Sequence, residues 1–461
     1  MQSCEKLLEG FEADFDFKPL PPLPKEEFEE RVRRIRVDAN DNECDALILH
    51  ADMVGWYHTS NSYLRYVCDW EKEGILILPT DEDKPSTLLS FFSNLILWPP
   101  PGEPTWVDDI RQIGLWGRKW NRPGDTTIKM GEATKKVIEE LGLNEGKLGL
   151  IGDPTSKPFW GTLREMVPRA SFQNENRIIN KIQHIKSKRE QELIRAAAQL
   201  IDIGVQAACY VCKPGVTDHE LYAAFTYAQM SRGGESGDGY QIGINRYGTL
   251  ISKPYGHIVK PGDIVILYIS GVTYRGYSAQ CSRMIAVGDI TREQEEIIGM
   301  CVESIERAMK VVGRGVRVQE VSNAAFQPYI QRGYLKAPDV KKMSLLNFFG
   351  PNLDGTPCPI LVEHAEDEDW ERMGRDLRHV YPPHPGQEGM GHSIGMPKLH
   401  SFWITPNNNM TLEPGMTFVL HAQWFEPKKA GCNLGNSLLV TEDGMENLNN
   451  HSALEPYRIK V

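Results

Sequence analysis

The chain has 461 residues, of which 41% are hydrophobic and 25% are charged, and these are the proportions of a globular protein, not a disordered one. A chain of this length exceeds one ordinary domain. It carries 62 acidic against 51 basic residues, a net charge of −11, which argues against a surface that binds nucleic-acid phosphates. No stretch approaches the ~20 apolar residues that span a bilayer, and residues 1–20 lack the pattern of a signal peptide. We therefore expect a cytoplasmic protein that binds neither nucleic acid nor a membrane.

The nine cysteines are spread from Cys4 to Cys432 without the tight spacing of a disulfide framework, so we expect reduced thiols. Cys209 and Cys212 form a Cys-x-x-Cys pair at the end of a helical pattern. No second pair follows at a zinc-like spacing, which favours helix packing over a redox or metal site.

Residues 1–25 are polar and then rich in proline, which predicts an arm without a helix, either on this chain or on a neighbouring subunit. From residue 26 a charged helical stretch leads to three short apolar runs with helical stretches between them. The runs lie at 45–50, 74–79 and 147–152. Such alternation is typical of an α/β domain whose sheet is partly covered on both faces, and we assign residues 26–180 to it.

The pattern of residues 181–461 predicts a second domain, of α+β type. Three helix starts carry Ser or Thr three residues before Glu or Gln, a capping box, at 187–190, 217–220 and 291–294. Two apolar runs flank a turn at Arg275 and Gly276 and predict a hairpin. The hairpin strands and two later strands are predicted at 262–270, 277–287, 416–423 and 437–441.

Residues 335–386 stand apart because their periodicity is weak and because they contain an acidic run at 363–369. A solvated insertion and an active-site lid both fit this composition. The sequence leaves the two alternatives open.

Six motifs of these two domains resemble, in order, the family of creatinase, prolidase and methionine aminopeptidase. They lie at 185–190, 262–263, 276–283, 391–395, 413–416 and 441–444. The resemblance covers about residues 30–461, with the insertion as its main departure. It implies a creatinase-type amino-terminal α/β domain followed by an α+β pita-bread catalytic domain. It also implies a homodimer, with a pocket between the pita-bread sheets that the partner's amino-terminal domain often closes.

The peptidase members of this family hold two metal ions with two aspartates, one histidine and two glutamates. The matching positions here are Ser270 or Tyr268, Gln280, His392, His421, and Gly435 or Asn436. Only His392 keeps its ligand type. Because neutral groups cannot balance two divalent cations, we predict no metal and no other cofactor. A single zinc held by both histidines and one oxygen is the alternative.

The resemblance implies that the remaining side chains line one pocket, and their chemistry predicts the roles. Histidine suits proton transfer near neutral pH, so His392 and His421 are the predicted pair of general base and acid, and the sequence leaves open which takes which role. Each also fits a role as a hydrogen-bonded core histidine. Strand alternation points Cys281 away from the pocket if Gln280 faces it, which disfavours a cysteine nucleophile. Six residues are predicted to bind substrate: Tyr268, Ser270, Gln280, Tyr240, Arg246 and His400. A surface salt bridge is the alternative role of Arg246.

Within the family, this sequence most resembles the branch of creatinase and the ectoine hydrolases. The resemblance implies that members of this branch lack the full set of metal ligands. We therefore predict a metal-independent hydrolase of a C–N bond in a small amidine, guanidine or amide compound, using histidine acid–base catalysis. Two alternatives remain. One is a lyase that breaks a C–S or C–N bond by proton abstraction. The other is a non-catalytic pseudo-peptidase that binds a peptide or protein.

Overall fold

The computed structural model describes twelve stretches of the chain: residues 4–51, 62–70, 74–90, 106–107, 109–113, 123–152, 156–235, 240–249, 251–335, 390–396, 402–426 and 428–461. Their contacts divide the chain into two units. The amino-terminal unit is Pro21–His184, and the catalytic unit combines Met1–Leu20 with Ile185–Val461. In the described part of the chain, no helix is both long and apolar enough to cross a membrane.

The amino-terminal unit contains a six-stranded mixed sheet of order β4-β3-β2-β1-β5-β6. Its strands are β1 (Ala46–Ala51), β2 (Gly74–Pro79), β3 (Thr87–Ser90), β4 (Asp109–Gln112), β5 (Lys147–Ile151) and β6 (Ser171–Asn174). Its helices, numbered after α1 of the other unit, are α2 (Lys25–Asp41), α3 (Ser62–Cys68), α4 (Pro123–Glu140), α5 (Lys157–Met166) and α6 (Asn176–Gln183). The three predicted apolar runs form β1, β2 and β5, which are neighbours in the sheet. Residues of both faces of β1 are fully buried, as a continuous apolar run requires.

The catalytic unit contains a sheet of order β10-β11-β12-β9-β8-β7, in which neighbouring strands are antiparallel. In addition, β13 pairs with β12 antiparallel, and β14 pairs with β9 parallel. The strands are β7 (Tyr240–Asn245), β8 (Ile264–Tyr274), β9 (Tyr277–Val287), β10 (Gly391–Ser393), β11 (Thr417–Glu426), β12 (Ala430–Thr441), β13 (Gly444–Asn447) and β14 (Tyr457–Ile459). The helices are α1 (Cys4–Leu7), α7 (Lys188–Val211), α8 (Asp218–Met230), α9 (Arg292–Val311) and α10 (Val318–Gln331). Helix α7 packs on β8 and β9, while α9 packs on β11 and β12.

The three predicted capping boxes begin α7, α8 and α9, each with both reciprocal hydrogen bonds. At α7, for example, the Glu190 N–H donates to Ser187 Oγ at 3.2 Å, and the Ser187 N–H donates to Glu190 Oε2 at 2.7 Å. The predicted hairpin is β8 and β9. Its turn residues Arg275 and Gly276 both have positive φ, 49° and 82°, which is the backbone of a tight type I′ turn.

The amino-terminal arm packs on the catalytic unit of its own chain. The Asp14 N–H donates to Gln206 Oε1 at 3.1 Å, and the Leu20 N–H donates to the Tyr274 hydroxyl at 2.9 Å. One helical turn, α1, lies within this arm, so the prediction of an arm without a helix is wrong for the residues before its prolines. The predicted insertion at 335–386 lies outside the described residues except for Leu335.

The contact of α7 with α8 depends on Gly204. A Cβ built on Gly204 would lie 2.5 Å from the Phe225 ring, whereas a Cβ on Gly299, on the exposed side of α9, meets nothing within 4 Å. We predict that Gly204→Ala lowers the free energy of unfolding by about 1 to 3 kcal/mol through overpacking. The matched Gly299→Ala should raise it by about 0.5 to 1 kcal/mol, because alanine favours the helix. Urea unfolding measures both, and equal stability of the two variants would contradict the packing.

Candidate active site

One row of cross-strand neighbours crosses the middle of the catalytic sheet. His421 on β11 pairs with Gly435 on β12, Gly435 pairs with Ser282 on β9, and Ser282 pairs with Tyr268 on β8. Directly paired residues project from the same face of a sheet, and so does Gln280, two residues from Ser282. The row therefore gathers residues from four strands on one face, and Gly435 adds no side chain to it.

His421 and Gln280 are hydrogen-bonded within this face. Nε2 of His421 lies 3.2 Å from Oε1 of Gln280, and Nε2 of Gln280 donates to the carbonyl oxygen of Ser270 at 3.1 Å. The backbone of Gln280 is held as well. Its N–H donates to Ser437 Oγ at 2.8 Å, and that hydroxyl donates to its carbonyl oxygen at 2.7 Å.

The His421 imidazole is nearly inaccessible to solvent, with 2% of the residue exposed. Burial disfavours the charged form and lowers the pKa of His421 to about 4, so the ring is neutral at pH 7. Its Nδ1 has no hydrogen-bond partner among the described residues. A Cβ on Gly435 would lie 3.0 Å from this nitrogen, so a side chain at position 435 would crowd it.

His392 lies beside His421. It pairs with Val419, two residues from His421 on β11, and therefore projects from the same face. The two imidazole centroids are 5.6 Å apart, and the Trp403 ring is 5.0 Å from His392. Nδ1 of His392 lies 2.9 Å from the carbonyl oxygen of Ser393. The ring of Tyr268 completes the cluster, with its centroid 6.0 Å from that of His421. The structure thus brings together both predicted catalytic residues.

Ser270 and Tyr240 occupy different places from those predicted. Ser270 is half-buried at an irregularity in the pairing of β8 with β9, and it contributes its carbonyl oxygen to the cluster through Gln280. Tyr240 pairs with Ile269, so it projects from the face opposite to Tyr268. Its buried ring stacks on Phe225 with centroids 4.1 Å apart. The register of β7 thus turns the Tyr240 side chain to helix α8, whereas the prediction of substrate binding places it with the histidines.

Arg246 and His400 are not part of the cluster that the structure describes. Arg246 is exposed, and its guanidinium lies 5.4 Å from the ring centroid of Tyr247. It lies in the turn after β7, five residues beyond Gln241, the β7 neighbour of Tyr268. The structure therefore does not bring it to the histidines. His400 lies outside the described residues.

The buried cysteines do not act in the cluster. Cys281 is 1% exposed, alternates with Gln280 to the other face, and burial raises the pKa of its thiol to about 12. The pKa values of Cys209 and Cys212 are also raised by burial, so both are protonated thiols at pH 7. Protonated thiols are poor nucleophiles and poor metal ligands.

Asn433 and Trp403 are two residues of the site that sequence reasoning missed. Asn433 is fully buried on β12, two residues from Gly435 and on the same face, and neither atom of its amide has a partner among the described residues. A buried amide without a partner is uncommon in proteins and needs one from water or ligand. Only the strand register shows that Asn433 shares this face, because nothing in its local sequence marks it.

The donors of this cluster do not fit a pair of divalent metal ions. Among the described residues, no group of three or more His, Cys, Asp or Glu side chains is placed to hold a metal. Gly435 and Asn436, the two candidates for the last ligand position, lie on opposite faces of the sheet. The Asn436 side chain accepts from Arg283 Nη2 at 2.6 Å, and Gly435 lies on the face of the histidines. Two divalent cations that share a site require anionic bridging oxygens, and the described residues of this face supply two amides, a phenol and two imidazoles.

Comparison with known proteins places the chain among peptidases and related hydrolases. The family model described as metallopeptidase family M24 matches residues 192–442. The Xaa-Pro dipeptidase of Pyrococcus horikoshii is 22% identical over 69% of this chain and 77% of its own length, and the ectoine hydrolase of Halomonas elongata is 24% identical over 75% and 82%. The solved Xaa-Pro dipeptidase from Bacillus anthracis superposes with a TM-score of 0.68 at 18% identity, covering 94% of this chain and all of that one. The predicted two-domain pita-bread fold is confirmed.

The depressed pKa of His421 predicts a pH-dependent stability. The pKa of His421 is near 6.5 in the unfolded chain and near 4 in the folded protein. The stability that the buried neutral ring contributes is therefore complete above pH 6.5 and is lost as the pH falls toward 4. We predict that the free energy of unfolding, relative to a non-titrating His421→Asn variant, falls by about 2 to 3 kcal/mol between pH 7.5 and pH 4.5. Urea unfolding of both proteins at the two pH values measures it. A difference that does not change with pH would show that His421 is solvated.

Proposed function

The chain belongs to metallopeptidase family M24, a family of hydrolases, and we propose that it cleaves a C–N bond in a small amidine, guanidine or amide compound without a metal ion. The observation that carries this proposal is the pairing of His421 with the amide of Gln280, next to His392. Neither partner of this pair is anionic, and both stand at positions where the family resemblance implies metal-binding carboxylates.

Hydrolysis of a C–N bond needs a base for the attacking water and an acid for the departing nitrogen. In the proposed reaction, the water oxygen bonds to the carbon while its proton passes to His421. The C–N bond then breaks as the nitrogen takes a proton from His392, which enters the reaction as the imidazolium and leaves it as the neutral ring. A base with a pKa near 4 is fully unprotonated at pH 7, although the driving force for the proton transfer is small.

In the proposed reaction, neutral hydrogen-bond donors stabilise the negative charge that develops on the heteroatom bonded to the attacked carbon. The phenol of Tyr268 lies on the same face as the histidines, and the amide of Asn433 is buried there without a partner among the described residues. Donors that are already fixed in a water-poor site stabilise a developing charge without reorganising. This inventory supports hydrolysis of a small polar substrate.

The comparisons support both a C–N bond and a small substrate. One relative is named for a dipeptide and another for ectoine, and both are hydrolases by name. The loss of anionic donors at the metal positions favours, for this chain, the branch that acts on a compound other than a peptide. We also propose a cytoplasmic homodimer, as the family resemblance implies. A monomer in analytical ultracentrifugation would contradict the dimer.

We predict that His392→Ala and His421→Ala each lower turnover by about 10²-fold or more, because each removes a proton-transfer group. The substrate is first sought by a thermal-shift screen of guanidines, cyclic amidines, small amides and dipeptides. Gly299→Ala is the matched control, since it changes a helix surface far from the sheet. Full activity of both histidine variants, with unchanged melting temperatures, would contradict the mechanism.

We predict that the purified protein contains less than about 0.1 equivalents of divalent metal and that a chelator leaves its turnover unchanged, since the described residues of the site include no anionic ligand. Elemental analysis by mass spectrometry measures the metal. Two equivalents would return the protein to the metal-dependent peptidases, and one equivalent of zinc would support the single-zinc alternative.

Hydrolysis also predicts the source of an oxygen atom. In water enriched in ¹⁸O, one labelled oxygen should enter the product, because the carbon of the broken bond receives it from water. Mass spectrometry of the product measures the label. A product without label would indicate elimination, the reaction of a lyase.

A further inference from the structure

We propose that Gln280 is a positioning residue that fixes the tautomer of His421, so that Nδ1 is the nitrogen that accepts the proton. The tautomer follows from the hydrogen bonds alone. Only the catalytic consequence rests on the proposed function.

The first step is the orientation of the Gln280 amide. One end of this amide lies 3.1 Å from the carbonyl oxygen of Ser270, and the other lies 3.2 Å from Nε2 of His421. A carbonyl oxygen accepts hydrogen bonds and cannot donate them. The NH₂ group must therefore face Ser270, because the flipped amide would place two oxygens against each other. Gln280 thus presents an oxygen to His421.

The second step is the position of the hydrogen on the imidazole. The amide oxygen of Gln280 only accepts, so Nε2 of His421 must donate and must carry the hydrogen. A buried neutral imidazole carries one ring hydrogen, which leaves the lone pair on Nδ1. The hydrogen-bond chain from Ser270 through Gln280 thus selects a single tautomer.

The third step is the surroundings of that lone pair. Nδ1 has no partner among the described residues, and it faces the backbone of Gly435 across the sheet. The φ angle of Gly435 is not positive, so its backbone conformation does not require glycine. A Cβ at this position would lie 3.0 Å from Nδ1. Nδ1 is therefore a buried acceptor against which position 435 places no side chain.

His392 provides an internal contrast. Its Nδ1 lies 2.9 Å from the carbonyl oxygen of Ser393, which can only accept, so Nδ1 carries the hydrogen in the neutral ring. The two neighbouring histidines are therefore held in opposite tautomers by different acceptors. A change at Gln280 should alter one ring and spare the other.

The test is nitrogen NMR of the ligand-free protein labelled with ¹⁵N-histidine, with His421→Asn to assign the His421 signals. The wild type should show a protonated Nε2 and a lone pair on Nδ1 for His421. Gln280→Leu, which removes the acceptor, should mix the His421 tautomers and leave the His392 signals unchanged. Its kcat should fall by about 10-fold or more with KM nearly unchanged, because ground-state binding does not use the tautomer.

Gln280→Glu keeps an acceptor oxygen but adds a negative charge. The Nε2–H tautomer should persist, and the pKa of His421 should rise, since an opposite charge favours imidazolium. The acid limb of the pH–rate profile should then move to higher pH. Gly435→Ala, which covers Nδ1, should lower kcat/KM by about 10-fold or more and keep the tautomer.

A wild-type spectrum with the hydrogen on Nδ1 of His421 would overturn the proposal, as would an unchanged tautomer in Gln280→Leu. If Gln280→Leu does not fold, the wild-type and Gln280→Glu spectra still decide the tautomer. The predicted tautomer together with full activity of His421→Ala would leave Gln280 as the tautomer-setting residue and would reject the proposed catalytic function. The two failures are therefore distinguishable.

Discussion

The buried guanidinium of Arg283 joins the two halves of the catalytic sheet. Among the described residues, a single register pair, Gly435 with Ser282, connects β12 to β9. Arg283, which is fully buried, donates from Nη1 to the carbonyl oxygens of both residues, at 2.6 and 2.9 Å. Its other nitrogens bond to Asn436 and Ser452, so the cation is surrounded by acceptors. A buried cation is costly unless acceptors replace the water that it loses, and these neutral acceptors do so for Arg283.

The same junction positions the candidate active site on the opposite face of the sheet. Because side chains alternate along a strand, the segments that direct Arg283 toward helix α7 direct Gln280, Ser282 and Gly435 toward the histidines. Side chains also replace missing ladder bonds here, since Ser282 Oγ donates to the Asn433 carbonyl oxygen at 2.9 Å. The site is therefore assembled by backbone register and neutral hydrogen bonds, and its first requirement is an intact connection between β9 and β12.

Local signals predicted the helix starts and the hairpin, because a capping box or a tight turn is complete within a few residues. The short strands β3, β4 and β6 escaped prediction, since four residues are too few to show a periodicity, and three of the four in Ser171–Asn174 are polar. The nearness of His392 to His421 came from the family resemblance. The remaining features follow from strand register, which depends on contacts that are distant in sequence. The register places Gly435 and Asn433 on the face of the histidines, and it places Tyr240 on the opposite face.

The packing of residues 1–20 on the catalytic unit has a consequence for synthesis on the ribosome. Asp14 is separated from its partner Gln206 by 192 residues, and the whole amino-terminal unit is translated between them. At about 5 to 20 residues per second, the arm waits about 10 to 40 s for its binding surface. The amino-terminal unit has all its residues while the arm is still unpaired, so the emerging chain carries an exposed apolar segment, with Phe11, Phe15 and Phe17, that a chaperone can bind before the catalytic unit closes over it.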